Sequence, residues 1–422
     1  MKKTLDTLLT ECESGNRILA HGVTVSNDSH RTRLNNHDLI IGGSGSGKTT
    51  GYVCPNLNNP HGSIVVSDTK GRLYKLYASS LRKKGYTVRV IDFISPKKSE
   101  GYNPLSYIRR DSDGSLVEAD IKKLAAIIAP SLDQYEPFWD YASQRYISML
   151  IGYVLEALPE DEHTMMNVVR LHQEFLAGPG RELFESLSEA NPDSYAARKY
   201  KMLKKASDAE RTWASIMEFV NSALDCFDCN DFRSIFENSN TINLHSIGRK
   251  KTAVFLNSSD NDTSYHILCN IFNAQLIQVL IEDADKTRDG RLPVPTRIIL
   301  DDFAASAKID NFDKYISILR SRDISVSIIL QSISQIENMY GHSNATTIMN
   351  NCDHILYLGG GNDLETADFI ANHINRTRNT VLGLDNDSAI LITRGRPSEV
   401  VEKVKPSHPE TGLCREHGEE PA

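Results

Sequence analysis

An α/β architecture, a mainly parallel sheet interrupted by an all-helical segment, is what this sequence predicts, and three observations lead there. Short apolar, β-rich runs occur early and return late in the chain, with helical stretches between them, the alternation that builds parallel sheets. The middle, from about 112 to 240, instead carries apolar residues at helical period. A glycine-rich turn, Gly42-Gly43-Ser44-Gly45-Ser46-Gly47, follows directly on the apolar run Leu39-Ile40-Ile41.

In chain order, Leu39-Ile40-Ile41 and Ser63-Ile64-Val65-Val66-Ser67 read as strands, Leu73 to Lys84 as a helix, and Tyr86 to Asp92 as another strand. In the middle segment Ser115 and Glu118 form a capping-box pattern ahead of Ile121, Leu124, Ala125 and Ile128, and Pro137 is placed to open a helix. Trp213, Ile216, Met217, Val220 and Leu224 fall on one helical stripe and are read as core. Strand signals resume at Thr252 to Leu256, Arg297 to Leu300, Val326 to Leu330 and His354 to Leu358. From 396 on, Arg396-Pro397, Pro406, Pro409 and a run of charges offer little apolar surface, which predicts a flexible tail. The expected domains are 1–111 and 241–395 as two parts of one nucleotide-binding domain, 112–240 as its all-α insertion, and 396–422 as the tail.

Composition bounds the function. The 422 residues are 40% hydrophobic and 24% charged, a globular composition that suits two or three domains. With 47 basic against 55 acidic residues and a net charge of −8, any nucleic-acid contact must come from a local basic surface. The 7 cysteines are scattered, which suits a reducing compartment; Cys226-x-x-Cys229 lacks partner ligands and is read as structural. Met1-Lys2-Lys3-Thr4-Leu5-Asp6 has no export-signal core, and residues 147–158 are interrupted by Glu156 and shorter than the ~20 apolar residues a spanning helix needs. The expectation is a chain without a membrane anchor of its own.

The glycine turn continues into Lys48-Thr49-Thr50, completing the pattern G-x-x-x-x-G-K-[ST]. Glycines let successive N–H groups turn inward around a β-phosphate, Lys48 reaches the β/γ oxygens, and the Thr49 hydroxyl is placed for Mg2+. Gly42, Gly43, Ser44, Gly45, Ser46, Gly47, Lys48, Thr49 and Thr50 are therefore the candidate ATP-binding residues. Such a loop needs a carboxylate at the end of another strand, and Ile298-Ile299-Leu300 running into Asp301-Asp302 supplies it. Asp301 is assigned with Thr49 to the metal shell, and Asp302 to the place of a base that orients water. Roughly 250 residues between the motifs require an inserted domain. Downstream, Arg320 or Arg322 has the spacing to reach a neighbouring subunit's γ-phosphate, and Gln331 ends an apolar strand where it would sense that phosphate. Among the basic clusters, Arg198 to Lys205 stands out because Tyr200 and Trp213 lie near it as candidates to stack unpaired bases.

Several stretches in this order resemble the type IV coupling proteins, the TraG-like conjugative DNA-transfer ATPases. They are Asn35-Asn36-His37, Tyr52-Val53-Cys54-Pro55-Asn56-Leu57, Ser67-Asp68-Thr69-Lys70-Gly71, Tyr102-Asn103-Pro104-Leu105, Leu300-Asp301-Asp302-Phe303-Ala304, and Ile329-Leu330-Gln331-Ser332 with Tyr340-Gly341, spread over residues 30–395. The resemblance implies a RecA-like P-loop NTPase domain, an inserted all-α domain, and a hexameric ring that passes DNA. It implies ATP and Mg2+ at Gly42 to Thr49, hydrolysis through Asp301 and Asp302, phosphate sensing by Gln331, and Arg320 or Arg322 acting across the subunit boundary. The implied partners are single-stranded DNA, a relaxase and the type IV secretion channel, with the protein in the cytoplasm at the inner face of the membrane. Asp302 replaces the usual Glu, and Thr69 and Arg72 stand where relatives often carry Pro and Glu. The family's N-terminal membrane helices are missing, so membrane contact is expected through a partner or a removed anchor. Two other readings remain: an export ATPase for protein substrates, and a nucleotide-dependent assembly module with slow hydrolysis. A small-molecule kinase lacks any sign of a compact acceptor pocket.

Overall fold

The computed structural model describes residues 15–130, 138–204, 210–237, 240–259, 266–305 and 308–405. Contact density divides the chain into two compact units. One comprises residues up to Val90, Asn243–Asn261 and from Ile277 onward; the other comprises Ile91–Ile242 and Asp262–Leu276.

The first unit opens with an antiparallel hairpin of β1 (Asn16–Ala20) and β2 (Val23–Ser26). The sheet strands follow as β3 (Asp38–Ile41), β4 (Ser63–Asp68), β5 (Thr87–Asp92), β6 (Thr252–Asn257), β7 (Thr296–Leu300), β8 (Ile324–Leu330), β9 (His354–Tyr357), β10 (Ser388–Thr393) and β11 (Glu399–Glu402). They form one nine-stranded sheet in the order β11-β10-β9-β3-β8-β7-β4-β6-β5. The pairs β9–β3, β3–β8, β8–β7, β7–β4 and β4–β6 are parallel, whereas β9–β10 and β10–β11 are antiparallel. Strands β3, β4, β6, β7 and β9 are buried along their whole length, the pattern of a sheet covered on both faces. Helix Arg72–Lys83 buries Leu73, Tyr77, Ala78 and Leu81 into a core with Ile40, Tyr52, Val66, Phe255, Ile299 and Ile329.

The second unit is helical. Its main helices are Glu118–Ile128, Phe138–Ala157, Met165–Ala177, Pro179–Ala190, Tyr195–Lys204, Glu210–Asp228 and Asn230–Phe236. Rings of Tyr146, Phe175, Phe184, Tyr200 and Trp213 pack edge-on, tilted or stacked at 5.4 to 6.3 Å between centroids along this core. Helices Phe138–Ala157 and Tyr195–Lys204 cross closely at Gly152, where a Cβ would stand 2.6 Å from the Tyr195 ring.

Several expectations are met differently. The division falls after Val90 because residues 101–108 belong with the helices: Tyr102 N donates to Ile235 O, Tyr107 Oη to Ile242 O, and Tyr102 stacks edge-on against Phe272. The capping box does not form, since the Ser115 hydroxyl donates to Asp113 and Val117 occupies the cap position. Pro137 lies outside the described residues. The segment read as a tail includes β11, whose pairing with β10 replaces the apolar burial it lacks; residues 406–422 lie outside the described residues. Tyr200 and Trp213 are committed to the aromatic core, not to bases, and Arg198 and Lys204 are paired with Glu118 and Glu185.

Candidate functional site

The site is built at the carboxyl ends of β3, β8 and β7, where an open parallel sheet places its crevice. Gly42 N donates to Leu330 O at 3.1 Å and Gly43 N to Gly359 O at 3.0 Å, so the loop leaves β3 tied to both neighbouring strands. Gly45 and Gly47 take φ of +74° and +91°, which turns successive N–H groups toward one side. A Cβ on Gly43 would stand 2.1 Å from the Gly360 carbonyl oxygen, so the residue must be glycine. From Thr49 the chain is helical to Asn58, and the helix N-terminus adds its dipole to the loop.

Lys48 is buried, and its ammonium donates to Gly42 O at 2.7 Å and Gly43 O at 3.0 Å. Burial lowers its pKa, while the charges of Asp302 and Asp301 pull it back up. The Thr49 hydroxyl donates to Asp301 Oδ2 at 2.8 Å, joining groups 252 residues apart in the sequence. Burial pushes the Asp301 carboxyl up to about 6, against the Thr49 hydrogen bond and with repulsion from Asp302 adding to the rise. Asp302 holds φ of +47°, a conformation that non-glycine residues adopt at a cost of about 1 to 3 kcal/mol and that clusters at functional sites. The two acids share one turn, with Asp302 N donating to Asp301 Oδ1 at 3.1 Å.

A hydroxyl and a carboxylate are the hard oxygen donors that Mg2+ takes, so Thr49 and Asp301 fit that ion. The buried Ser46 hydroxyl, which has no hydrogen-bond partner among the described residues, and the glycine cradle around Gly43 fit a phosphate group. Ser44 and Gly45 are exposed at the mouth of the loop, and the Thr50 hydroxyl lies 3.4 Å from Gly47 O.

Gln331 follows β8 directly, and its exposed side chain sits one residue beyond the carbonyl that holds Gly42. Arg320 and Arg322 are not brought to the loop. They form the turn before β8, and the seven residues of that strand at about 3.3 Å each put them roughly 20 Å from their own phosphate loop. Arg322 is held there by Asp285, with Nε at 2.8 Å and Nη2 at 3.2 Å from its carboxylate. Arg320 lines a small cavity with Asn27, Asn36, His61 and Arg297.

Four features escaped the sequence reading. The run Gly359-Gly360-Gly361 after β9 packs against the loop, a signal visible as three consecutive glycines behind an apolar strand. Lys403 reaches the loop from beyond β11 and donates to Ser46 O at 3.2 Å. Asp68 caps helix Arg72–Lys83, accepting from the N–H groups of Leu73 at 2.7 Å and of Arg72 and Tyr74 at 3.1 Å. Beneath β3, Asp38 accepts from Arg17 Nε at 2.8 Å, Arg297 Nη1 at 3.2 Å and Tyr52 Oη at 2.6 Å, all buried. Burial opposes that carboxylate's charge, but the two guanidinium groups hold it down to about 2. Desolvation keeps His354 neutral, with its pKa lowered to about 4, and its Nδ1 lies 3.0 Å from Arg17 Nη2.

A glycine phosphate loop at the end of one parallel strand, bonded to a carboxylate two strands away, defines a P-loop NTPase fold of the RecA-like kind, here with an all-helical insertion. The chain belongs to the family of type IV secretory system conjugative DNA transfer proteins, whose family model matches residues 2–381. It is 25% identical over 360 residues to the conjugal transfer protein TraG of Escherichia coli, covering 79% of this chain and 54% of that protein. It is 21% identical over 405 residues to protein VirD4 of Rhizobium radiobacter, covering 87% and 56%. The chain thus spans about half the length of these relatives. Among solved structures, the bacterial conjugative coupling protein TrwBdeltaN70 superposes with a TM-score of 0.70 at 13% identity, covering 97% of this chain and 93% of that one. TrwB in complex with ADP and Mg2+ gives 0.67 at 14% identity, covering 97% and 94%. VirB4 of Thermoanaerobacter pseudethanolicus gives 0.58 at 12% identity, covering 94% and 99%. Among the described residues no helix is long and apolar enough to cross a membrane.

Proposed function

We propose that this chain is the ATP-driven motor of conjugative DNA transfer, which moves relaxase-bound single-stranded DNA toward a type IV secretion channel. The observation that carries the reading is the 2.8 Å bond from Thr49 to Asp301, because it joins the phosphate loop to the acidic pair in one site. Family membership and the likeness to TrwB, solved with ADP and Mg2+, support the choice of ligand. Gly42 to Thr50 would hold the triphosphate through backbone N–H groups, with Lys48 turning from the loop carbonyls to the phosphate oxygens. Thr49 and Asp301 would hold Mg2+, which neutralises charge on the phosphate oxygens when bound. Asp302 orients the attacking water, and Gln331 sits where it reads the γ-phosphate and passes the signal to β8.

Arg320 and Arg322 lie too far from their own loop to act on it, so a catalytic role for either requires a neighbouring subunit in a ring, a homo-hexamer on the reading offered here. Of the two, Arg320 is the better placed, because Arg322 is already paired with Asp285. The site of action is the cytoplasmic face of the membrane, reached through a partner or an anchoring segment.

ATP turnover measured against protein concentration, with and without single-stranded DNA, tests the proposal. The expected result is a rise in turnover per chain as rings assemble and stimulation by DNA. Equal turnover with and without DNA, together with no DNA binding at low salt, overturns it. Capture of protein cargo under those same conditions would instead identify an export ATPase.

A further inference from the structure

Beyond the residues of the sequence motifs, we infer that Lys403 is a positioning residue for the nucleotide: from the strand that ends the sheet, it fixes the outer side of the phosphate loop through the Ser46 carbonyl. This rests on the nucleotide reading of the site.

A loop that turns its N–H groups toward an anion turns carbonyls the other way. Ser46 lies between Gly45 and Gly47, both in the left-handed region. Its hydroxyl has no partner among the described residues, and its carbonyl accepts from Lys403 Nζ at 3.2 Å. Such a loop samples many shapes unless something outside it selects one.

Lys403 is anchored for that task. Its own N–H donates to Asp387 O at 2.8 Å, and the preceding carbonyl, Glu402 O, accepts from His21 N at 2.8 Å. β11 is paired to β10 over four residues, Glu399 to Glu402. Immediately afterwards the Val404 carbonyl passes 3.6 Å from where a Cβ of Gly51 would be, alongside the helix that leaves the loop. The backbone that carries the lysine is therefore held by the sheet on one side and runs beside the loop helix on the other. Burial lowers its pKa, and the carboxylates of Asp385 and Asp387, the charged groups that act on it, pull it back. A half-buried ammonium spent on a backbone carbonyl, next to a site built for a polyanion, is a placement that serves the loop's shape.

The loop cradles the diphosphate portion shared by ATP and ADP, so the expected effect is on affinity for both nucleotides alike. The Michaelis constant moves while the maximal rate stays. Binding of ADP and of a non-hydrolysable ATP analogue, each with Mg2+, is measured on the full chain for the wild type, Lys403→Met, Lys403→Arg and Lys48→Ala. Lys403→Met keeps the apolar stem and should lower the melting temperature without nucleotide by no more than a few degrees. It should weaken both ligands about tenfold, the scale of a partly exposed charge-assisted hydrogen bond. Lys403→Arg, which restores the charge and the donor, should recover most of that loss, and saturating turnover of both variants should match the wild type. Should Lys403→Met fail to fold, Lys403→Gln, with a neutral donor, carries the same comparison. Wild-type affinity in Lys403→Met, alongside lost binding in Lys48→Ala, overturns this inference and leaves the nucleotide reading intact; a fall in maximal rate at unchanged affinity overturns it too. No binding by the wild type overturns both.

Discussion

Replacing Asp38 by Asn tests the charge network under the phosphate-loop strand. Arg17 and Asp38 side chains are each 2% exposed and that of Arg297 is 9% exposed, so the single carboxylate is the counter-charge for two buried guanidinium groups. Removing one partner of such a pair leaves a charge desolvated and uncompensated, at a cost of about 3 to 5 kcal/mol. The ionisation itself gives a second figure. A carboxyl lowered from 3.8 to about 2 contributes about 2 kcal/mol, fully present above pH 3.8 and lost as pH falls through 2. The first figure is larger because Asn cannot re-ionise and because its amide brings donors that face two guanidinium groups. Both tryptophans, Trp139 and Trp213, belong to the helical unit, so their fluorescence does not report on the sheet. Hydrogen exchange of the β3 and β7 amides does. Asp38→Asn should reduce their protection at least about a hundredfold at pH 7, as 1.36 kcal/mol corresponds to tenfold. Adding Arg297→Met should recover part of it, since apolar replacement of a buried ion pair is often neutral. Protection within threefold of the wild type, or a double variant worse than the sum of the singles, would refute the argument.

Other consequences concern the site itself. Asp302→Asn should lower the maximal rate of ATP hydrolysis by about 10² to 10⁴, the range for a proton-handling group, with nucleotide affinity retained; equal loss of affinity would make Asp302 a binding residue. Gly43→Ala puts a methyl where Gly360 O stands 2.1 Å away, so the loop must shift. The expected destabilisation is about 1 to 3 kcal/mol in thermal melts, with nucleotide binding lost. Asp301 carries the opposite linkage from Asp38. Its pKa is raised, so its burial penalty is absent below pH 3.8 and complete above about 6. Asp301→Asn should therefore stabilise the nucleotide-free chain at pH 8 by up to about 3 kcal/mol, a gain that fades toward pH 4 in denaturant titrations.

What the sequence made legible is what chemistry pins to residue type. The phosphate loop needs glycines, a lysine and a hydroxyl at fixed spacing, and Asp301 needs an apolar strand before it. Both signals survive any tertiary context. The strands β3 to β9 were legible as short apolar or β-rich runs, most of them buried on both faces. β11 was not, because Glu399-Val400-Val401-Glu402 between prolines has the composition of a loop and becomes a strand only through its pairing with β10. The Arg17, Asp38 and Arg297 network gave no signal in the sequence, since burial of a charge is visible only once its partner is in place. Residues 91–111 were read with the nucleotide-binding domain, whereas Tyr102 and Tyr107 hydrogen-bond to Ile235 and Ile242 of the helical unit. Arg320 and Arg322 enter β8 at the end opposite the phosphate loop, so the role read for them, on a neighbouring subunit's γ-phosphate, is not one that a single chain displays.

The central claim is that a triphosphate and its metal sit between Lys48, Thr49 and Asp301. It is tested most directly by titrating a non-hydrolysable ATP analogue, with and without Mg2+, into the wild type, Lys48→Ala and Asp301→Asn. Tight, Mg2+-enhanced binding by the wild type, loss of binding in Lys48→Ala, and metal-free affinity without the Mg2+ enhancement in Asp301→Asn are expected. Undiminished binding by Lys48→Ala, or the full Mg2+ enhancement in Asp301→Asn, would contradict it.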